Sequence, residues 1–142
     1  MLKKILLAAA LTSVTVVANA KDEAHYFDFN QAVESAIAAG ALDGSVKFYL
    51  AGTKSGGTVL QKDLISNKKT NGFAKTAENA CDWALRSALI QFEKTAKAQG
   101  ANAVTNIVSF YKRNEYKNTN KYECYKGTAV AAVTIKGDIV KF

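Results

Sequence analysis

Two stretches of the chain repeat apolar residues with a period of about 3.6 and therefore predict helices. The first begins at Asp28 in DFNQAVESAIAAG, with Gln31 as a capping-box partner and Gly40 as a stop. The second, AENACDWALRSALIQFEKTAKAQ, follows Thr76 and ends at Gly100. Its apolar positions share one broad face. They are Ala77, Ala80, Cys81, Ala84, Leu85, Ala88, Leu89, Phe92 and Ala96.

The other stretches show the two-residue alternation of β-strands. SVKFYLAG is one strand, and TVLQKDLISNKKTNGF is one or two strands with a polar middle. The two strongest strands are ANAVTNIVSFYKR and YECYKGTAVAAVTIKG, and RNEYKNTNK between them predicts a polar hairpin loop. This order predicts an α+β fold. We expect a mostly antiparallel sheet with a short N-terminal helix and one long helix packed on it.

The first twenty residues, MLKKILLAAALTSVTVVANA, have the pattern of a signal peptide. Lys3 and Lys4 precede an apolar stretch, and Ala18-Asn19-Ala20 is a small-x-small cleavage site. The apolar stretch is shorter than the roughly 20 residues of a membrane span, and no cysteine near the cut could carry a lipid. We therefore expect residues 1–20 to be removed and residues 21–142 to form a single periplasmic domain without a membrane span.

The charge balance bears on the class of partner. The chain has 19 Lys and Arg against 12 Asp and Glu, and two of the lysines lie in the predicted signal peptide. An exported protein seldom meets nucleic acid, so we expect no nucleic-acid partner. The positive balance is typical either of an ordinary solvated surface or of contact with anionic envelope polymers or lipid head groups.

Cys81 and Cys124 are the two cysteines of the chain, and an even count in an exported protein favours a disulfide. Two alternatives are a nucleophilic Cys81 near a helix start and a zinc site. A nucleophile normally needs a base, and the one histidine is His25, close to the predicted mature terminus. Two cysteines and one histidine also fall short of four zinc ligands. The disulfide is therefore our main prediction.

The search for catalytic motifs predicts no enzyme, no metal and no cofactor. The carboxylates are scattered, and no pair has the spacing of a buried general acid and base. Lys54-Ser55 lies in a turn, but the glycine that a nucleotide-binding loop needs before the lysine is Thr53. His25 is fifth in the predicted mature chain, whereas tight copper or nickel binding at an amino terminus needs a histidine in third position.

Two surfaces are candidates for an interaction. Trp83 and Ile90 are seven residues apart on the polar side of the long helix, and we expect them either to contact a partner or to be covered by a loop or by the HYFDF stretch. The predicted hairpin mixes cations with aromatic residues, as stacking surfaces do, and ordinary exposed hairpins share this composition. Its candidate residues are Lys112, Arg113, Tyr116, Lys117, Tyr122, Tyr125 and Lys126.

The runs KTAKAQGANAVTNIVSFYK and YECYKGTAVAAVTIKG resemble a signature shared by the YbjQ-type small proteins and the periplasmic domain of the Rcs envelope-stress sensor lipoprotein. The resemblance covers about residues 76–137 and implies an α+β fold. Cys81 and Cys124 match one disulfide pair of the lipoprotein. Its second disulfide and its lipid-bearing cysteine have no counterpart in this chain. Oligomers occur among YbjQ-type proteins, so the resemblance is compatible with a homo-oligomer.

Nearly the whole predicted mature chain, including LDGSVKFYLAG and NACDWAL, is similar to small exported bacterial proteins usually labelled "excinuclease ATPase subunit". A DNA-repair ATPase needs a nucleotide-binding loop and a cytoplasmic location, so the label does not set our functional expectation. We expect a non-enzymatic periplasmic binding or protein-interaction module of the cell envelope. The alternative is a binder of a small ligand, a metal or an anionic envelope polymer.

Overall fold

The computed structural model describes residues 22–142, so the predicted signal peptide and Lys21 lie outside the described residues. The strands and helices of this part follow one another as β1 (Glu23–Asp28), α1 (Phe29–Ala38), β2 (Lys47–Leu50), β3 (Thr58–Asn71), α2 (Ala77–Ala98), β4 (Ala103–Ser109), β5 (Lys121–Lys126) and β6 (Val130–Lys141). A short 3₁₀ turn, Tyr111–Arg113, lies between β4 and β5.

The strands form one curled and mostly antiparallel sheet centred on β6. One edge of β6 pairs with β3 along almost its whole length, from Asn71 opposite Val130 to Thr58 opposite Lys141. The other edge is shared, because β5 pairs with the start of β6 and β4 with its end. β1 extends the sheet antiparallel to β5, and β2 extends it parallel to β4. The predicted α+β class and mostly antiparallel sheet are confirmed.

The strand assignment differs from the prediction in three places. β1 was not predicted. For TVLQKDLISNKKTNGF, the single-strand alternative is the one that forms, as β3. The stretch YECYKGTAVAAVTIKG is two strands, because a turn closed by the Gly127 N–H and the Val130 carbonyl separates β5 from β6. The hairpin predicted at RNEYKNTNK is therefore wrong: the segment after β4 leads to β5, while β4 itself pairs with β6.

Side-chain caps fix the starts of both helices. The Asp28 carboxylate accepts a 2.8 Å hydrogen bond from the Gln31 N–H at the start of α1. The Thr76 hydroxyl accepts one of 3.2 Å from the Asn79 N–H at the start of α2. Each bond satisfies a backbone donor that has no partner inside the helix.

The main core lies between α2 and the sheet. The apolar face of α2 is buried against side chains of β6 and β4, among them Val104, Ile107, Val133, Ile135 and Ile139. The small residues on this face of α2 let its backbone approach the sheet closely. They are Ala80, Ala84, Ala88 and Ala96.

The predicted disulfide is present. Cys81 in α2 is bonded to Cys124, their Cα atoms are 5.8 Å apart, and both side chains are fully buried. Cys124 lies in β5, whereas the sequence analysis placed it near the start of a single last strand. The bond therefore joins the long helix to the part of the sheet that carries β5 and β1.

Candidate functional site

The alternation of side chains along β5 separates a face that packs on α2 from a face that points away from it. Tyr122 and Cys124 are both buried on the α2 side, where Cys124 is bonded to Cys81. Side chains of a strand point alternately to the two faces, so Glu123 and Tyr125 lie on the opposite side. Tyr26 is directly opposite Glu123 in the paired strand β1 and shares that face.

Four tyrosines come together on this opposite face. The rings of Tyr111 and Tyr125 are stacked with their centroids 4.0 Å apart, and those of Tyr26 and Tyr116 lie 4.7 Å apart at a tilt. We call this set, Tyr26, Tyr111, Tyr116 and Tyr125, the tyrosine face. An isolated bridge between Ser109 and Tyr116 fixes the loop that brings Tyr111 and Tyr116 onto the sheet.

A buried carboxylate organises the tyrosine face. Glu123 is only 6% exposed, and its carboxylate accepts a 3.0 Å hydrogen bond from the Tyr26 hydroxyl. The backbone N–H of Glu123 donates a 2.9 Å bond to the Ser109 hydroxyl. Glu123 therefore links β1, β5 and the end of β4 beneath the tyrosine rings.

The surroundings raise the pKa of three phenols of this face, those of Tyr26, Tyr111 and Tyr125, so these stay protonated at neutral pH. The hydrogen bond to Glu123 raises the pKa of Tyr26, with burial adding to the effect. Burial first, then the charge and hydrogen bonding of Glu123, raises the pKa of Tyr125. Burial and the 3.0 Å bond to Asp22 raise the pKa of Tyr111. A neutral phenol both donates and accepts hydrogen bonds and still offers an apolar ring.

Cations surround the rings. The Lys112 ammonium is 5.5 Å from the centre of the Tyr111 ring. The Lys136 ammonium and the Arg113 guanidinium are 4.2 Å and 5.9 Å from the centre of the Phe110 ring. These distances are within the range of cation–π attraction, so the tyrosine face has a positively charged rim.

The backbone that presents two of these cations is strained. Lys112 has a φ of 51° and Arg113 a φ of 64°. Residues other than glycine seldom adopt this left-handed region, and each instance costs roughly 1–2 kcal/mol. Strained positions of this kind are concentrated at functional sites, so two consecutive ones beside the tyrosine face mark this loop as a candidate binding element.

The structure brings several of the predicted hairpin residues together and separates others. Tyr116 and Tyr125 belong to the tyrosine face, and Lys117 is exposed next to Tyr116. Lys126 is half-buried, and its ammonium donates a 3.1 Å bond to the Gly127 carbonyl. The prediction of Tyr122 as a residue of this interaction surface is wrong, because its side chain points to α2 and is fully buried.

The sequence analysis missed several contributors to the face. Tyr26 lies in β1, Tyr111 begins the 3₁₀ turn, and Lys136 lies in the middle of β6. The alternation in AHYFD could have identified β1 and hence the direction of Tyr26. No local pattern shows that Lys136, about 25 residues later in the chain, lies over Phe110.

The second candidate surface is only half exposed. Trp83 is 49% exposed, and the Arg86 guanidinium lies 4.5 Å from the centre of its ring. Ile90 is half-buried and packs against the core. The two residues therefore do not form one exposed apolar strip. Only Trp83, with Arg86 beside it, is available at this surface.

A cleft of about 290 Å³ lies between β1, α1 and the start of α2, and Tyr26 of the tyrosine face is among its lining residues. Its charged lining residues are Asp28, Glu78, Asp82 and Lys121. Within residues 22–142, no three His, Cys, Asp or Glu side chains are grouped so that they could hold a metal ion. Neither helix of the same region has the length and apolar character needed to cross a membrane.

Comparison of the chain with protein-family models and with curated proteins gives no match.

Proposed function

We propose that this protein is a non-enzymatic, exported binding module of the cell envelope, and that the tyrosine face is its contact surface for a protein partner. The observation that supports this most directly is the strained Lys112-Arg113 pair beside two packed tyrosine pairs. A tight turn with two consecutive left-handed residues normally uses glycine or asparagine, so the presence of a lysine and an arginine at these positions favours a role for their side chains.

The residue types of the face fit protein recognition. Tyrosine and arginine are enriched among the residues that dominate binding energy at protein interfaces. A tyrosine ring supplies a large contact area with few rotatable bonds, so its ordering costs little entropy. The contacts between Tyr111 and Tyr125 and between Tyr26 and Glu123 already order these rings. A pre-ordered surface loses less conformational freedom when a partner binds.

The proposal treats Glu123 as a structural residue of the face. Its carboxylate is engaged by the Tyr26 hydroxyl and lies beneath the rings. The disulfide between Cys81 and Cys124 supports a location in an oxidising compartment such as the periplasm. The two sulfur atoms then stabilise the scaffold and take no part in chemistry.

A second candidate function is the binding of an anionic envelope polymer. The positions of Lys112, Arg113 and Lys136 over aromatic rings favour it. Such a rim attracts a chain of negative charges, and the affinity would fall steeply with salt.

Capture from a detergent-solubilised envelope fraction tests both functions. The bait proteins are the wild type, Tyr116→Ala and the double variant Lys112→Glu/Arg113→Glu. The matched control is Lys62→Glu/Lys94→Glu, which reverses two exposed charges away from the face. The proposal expects a protease-sensitive partner that the control retains and both other variants lose.

Capture of a protease-resistant, salt-released polymer would favour the second candidate instead. Equal capture by all four proteins would show that the tyrosine face is not the contact surface. Circular dichroism and thermal unfolding of each variant confirm that the loss of capture is not a loss of folding.

A further inference from the structure

The turn between β3 and α2 displays an apolar side chain that the proposed function does not use. Phe73 is 65% exposed, more than any other large hydrophobic side chain among residues 22–142. Val130 is 42% exposed and lies opposite Asn71, two residues before Phe73. The turn therefore carries a small apolar surface at one end of the sheet.

Hydrogen bonds hold this turn in one conformation. The Phe73 N–H donates a 3.0 Å bond to the Asn71 side-chain oxygen, and the Gly72 N–H donates one of 2.9 Å to the Ala129 carbonyl. The Lys75 N–H bonds the Gly72 carbonyl at 3.2 Å. Ala74 completes the turn with a φ of 58°, a conformation that is costly for alanine. The chain thus keeps Phe73 outside the core through an ordered turn.

Two exposed lysines lie close to Phe73 in the chain. Lys75 follows Phe73 by two residues. Lys69 lies at the same end of β3, paired with Ala132 on the sheet face that carries Val130. We call this set the Phe73 tip: Lys69, Phe73, Lys75 and Val130. Glu78, in the first turn of α2, is the acidic residue nearest to it in sequence.

We propose that the Phe73 tip docks the protein onto the surface of an anionic phospholipid bilayer. The aromatic ring would enter the boundary between head groups and acyl chains, where aromatic side chains are favoured. The ammonium groups of Lys69 and Lys75 would lie at the level of the lipid phosphates, and their alkyl stems can bury along the apolar boundary.

The composition of the tip favours a bilayer over a protein partner. Two apolar side chains are far less than the area that a stable protein interface buries. Reversible binding to a charged membrane needs less apolar contact, because attraction between the lysines and anionic lipids adds to the insertion of the ring. This membrane contact is peripheral. It goes beyond the proposed function, because the residues of the Phe73 tip are different from those of the tyrosine face.

Vesicle co-sedimentation tests the docking. The purified protein is mixed at low salt with vesicles of phosphatidylglycerol and phosphatidylcholine, and with vesicles of phosphatidylcholine alone. We expect binding to the anionic vesicles only, weakened at least tenfold by Phe73→Ala and about fivefold by Lys75→Gln. Phe142→Ala removes another exposed phenylalanine ring, 47% exposed and away from the tip; it is the control and leaves binding unchanged.

The depth of the ring gives an independent readout. Trp83 is the one tryptophan of the chain, so Phe73→Trp in a Trp83→Phe background reports only on the tip. Its fluorescence should shift to shorter wavelength on anionic vesicles. The proposal is overturned by no binding to anionic vesicles, by equal binding to neutral ones, or by binding that Phe73→Ala leaves intact while Lys112→Glu/Arg113→Glu removes it.

Discussion

Tyr26 in β1 donates a 3.0 Å hydrogen bond to the carboxylate of Glu123, the residue directly opposite it in β5. Glu123 is almost fully buried, so this bond satisfies a charged group that has little access to water. A first prediction follows for Tyr26→Phe, which removes the hydroxyl and keeps the ring. The free energy of unfolding should fall by about 1 kcal/mol, the net contribution of one hydrogen bond, because Tyr125 also hydrogen-bonds Glu123.

Chemical denaturation of Tyr26→Phe beside Tyr49→Phe measures this loss. Tyr49 lies in β2, away from the tyrosine face, and removal of its hydroxyl should change stability by no more than about 0.5 kcal/mol. Equal stability of Tyr26→Phe and the wild type would mean that the bond to Glu123 does not stabilise the fold.

The disulfide leads to a second prediction. Cys81 and Cys124 are 43 residues apart in sequence, and closing a loop of this length in the unfolded chain stabilises the fold by about 4 kcal/mol at most. Reduction of the wild type should therefore lower its thermal midpoint markedly. Cys81→Ala/Cys124→Ala should be unaffected by reductant. Thiol labelling of the unreduced, denatured wild type should detect no free sulfhydryl.

The disulfide also shows what sequence patterns could and could not reveal. The pairing was predictable because the chain has two cysteines and Cys81 falls on the apolar face of a clear amphipathic helix. The class of fold was predictable for a related reason: helical and strand periodicities are local. The caps at Asp28 and Thr76 are likewise local signals.

The pairing of strands was not predictable in the same way. Apolar residues lie on both sides of Gly127 in YECYKGTAVAAVTIKG, so the stretch was predicted as one strand and the reversal of the chain at Gly127 was missed. The tyrosine face depends on that reversal, because it sets Tyr125 beside the 3₁₀ turn and buries Tyr122 against α2. A one-residue step along a strand changes the face of a side chain, and that decides which tyrosine is available for binding.

Tyr122 itself gives a third prediction, on alkaline stability. Burial raises the pKa of Tyr122 well above its ordinary value, and the charge of Asp82 and a 3.4 Å hydrogen bond to it add to the effect. An unfolded phenol ionises near pH 10. The folded state holds this proton more tightly, so its stabilising contribution is complete below pH 10 and is lost as the pH rises above it.

The loss amounts to about 1.4 kcal/mol per pH unit for one proton. Tyr122→Phe should therefore show a shallower fall of the free energy of unfolding between pH 10 and pH 12 than the wild type. Urea denaturation at several pH values measures both slopes. Identical slopes would indicate that Tyr122 ionises equally readily in the folded and unfolded chains.

A fourth prediction separates Trp83 from Ile90. Trp83 is half exposed and contacts Arg86, so Trp83→Ala should lower the free energy of unfolding by less than about 1 kcal/mol. Ile90 packs against the core, and Ile90→Ala should cost about 1–2 kcal/mol. The wild-type tryptophan fluorescence should also be quenched readily by iodide. Resistance to iodide would show that Trp83 is covered in solution.

The strained loop beside the tyrosine face yields the fifth prediction, a gain of stability with a loss of binding. Glycine adopts positive φ without steric cost, so Lys112→Gly and Arg113→Gly should each raise the free energy of unfolding by about 1 kcal/mol. Each change also removes a cation from the rim, so capture of the envelope partner should weaken.

The matched control is Lys117→Gly. It removes a neighbouring exposed cation that does not lie at a positive-φ position, and it should lower the free energy of unfolding slightly. Thermal unfolding and capture, measured on the same preparations, give both quantities. If the glycine variants bound as well as the wild type, the strain would have no link to recognition, and the case for this loop as a binding element would fail.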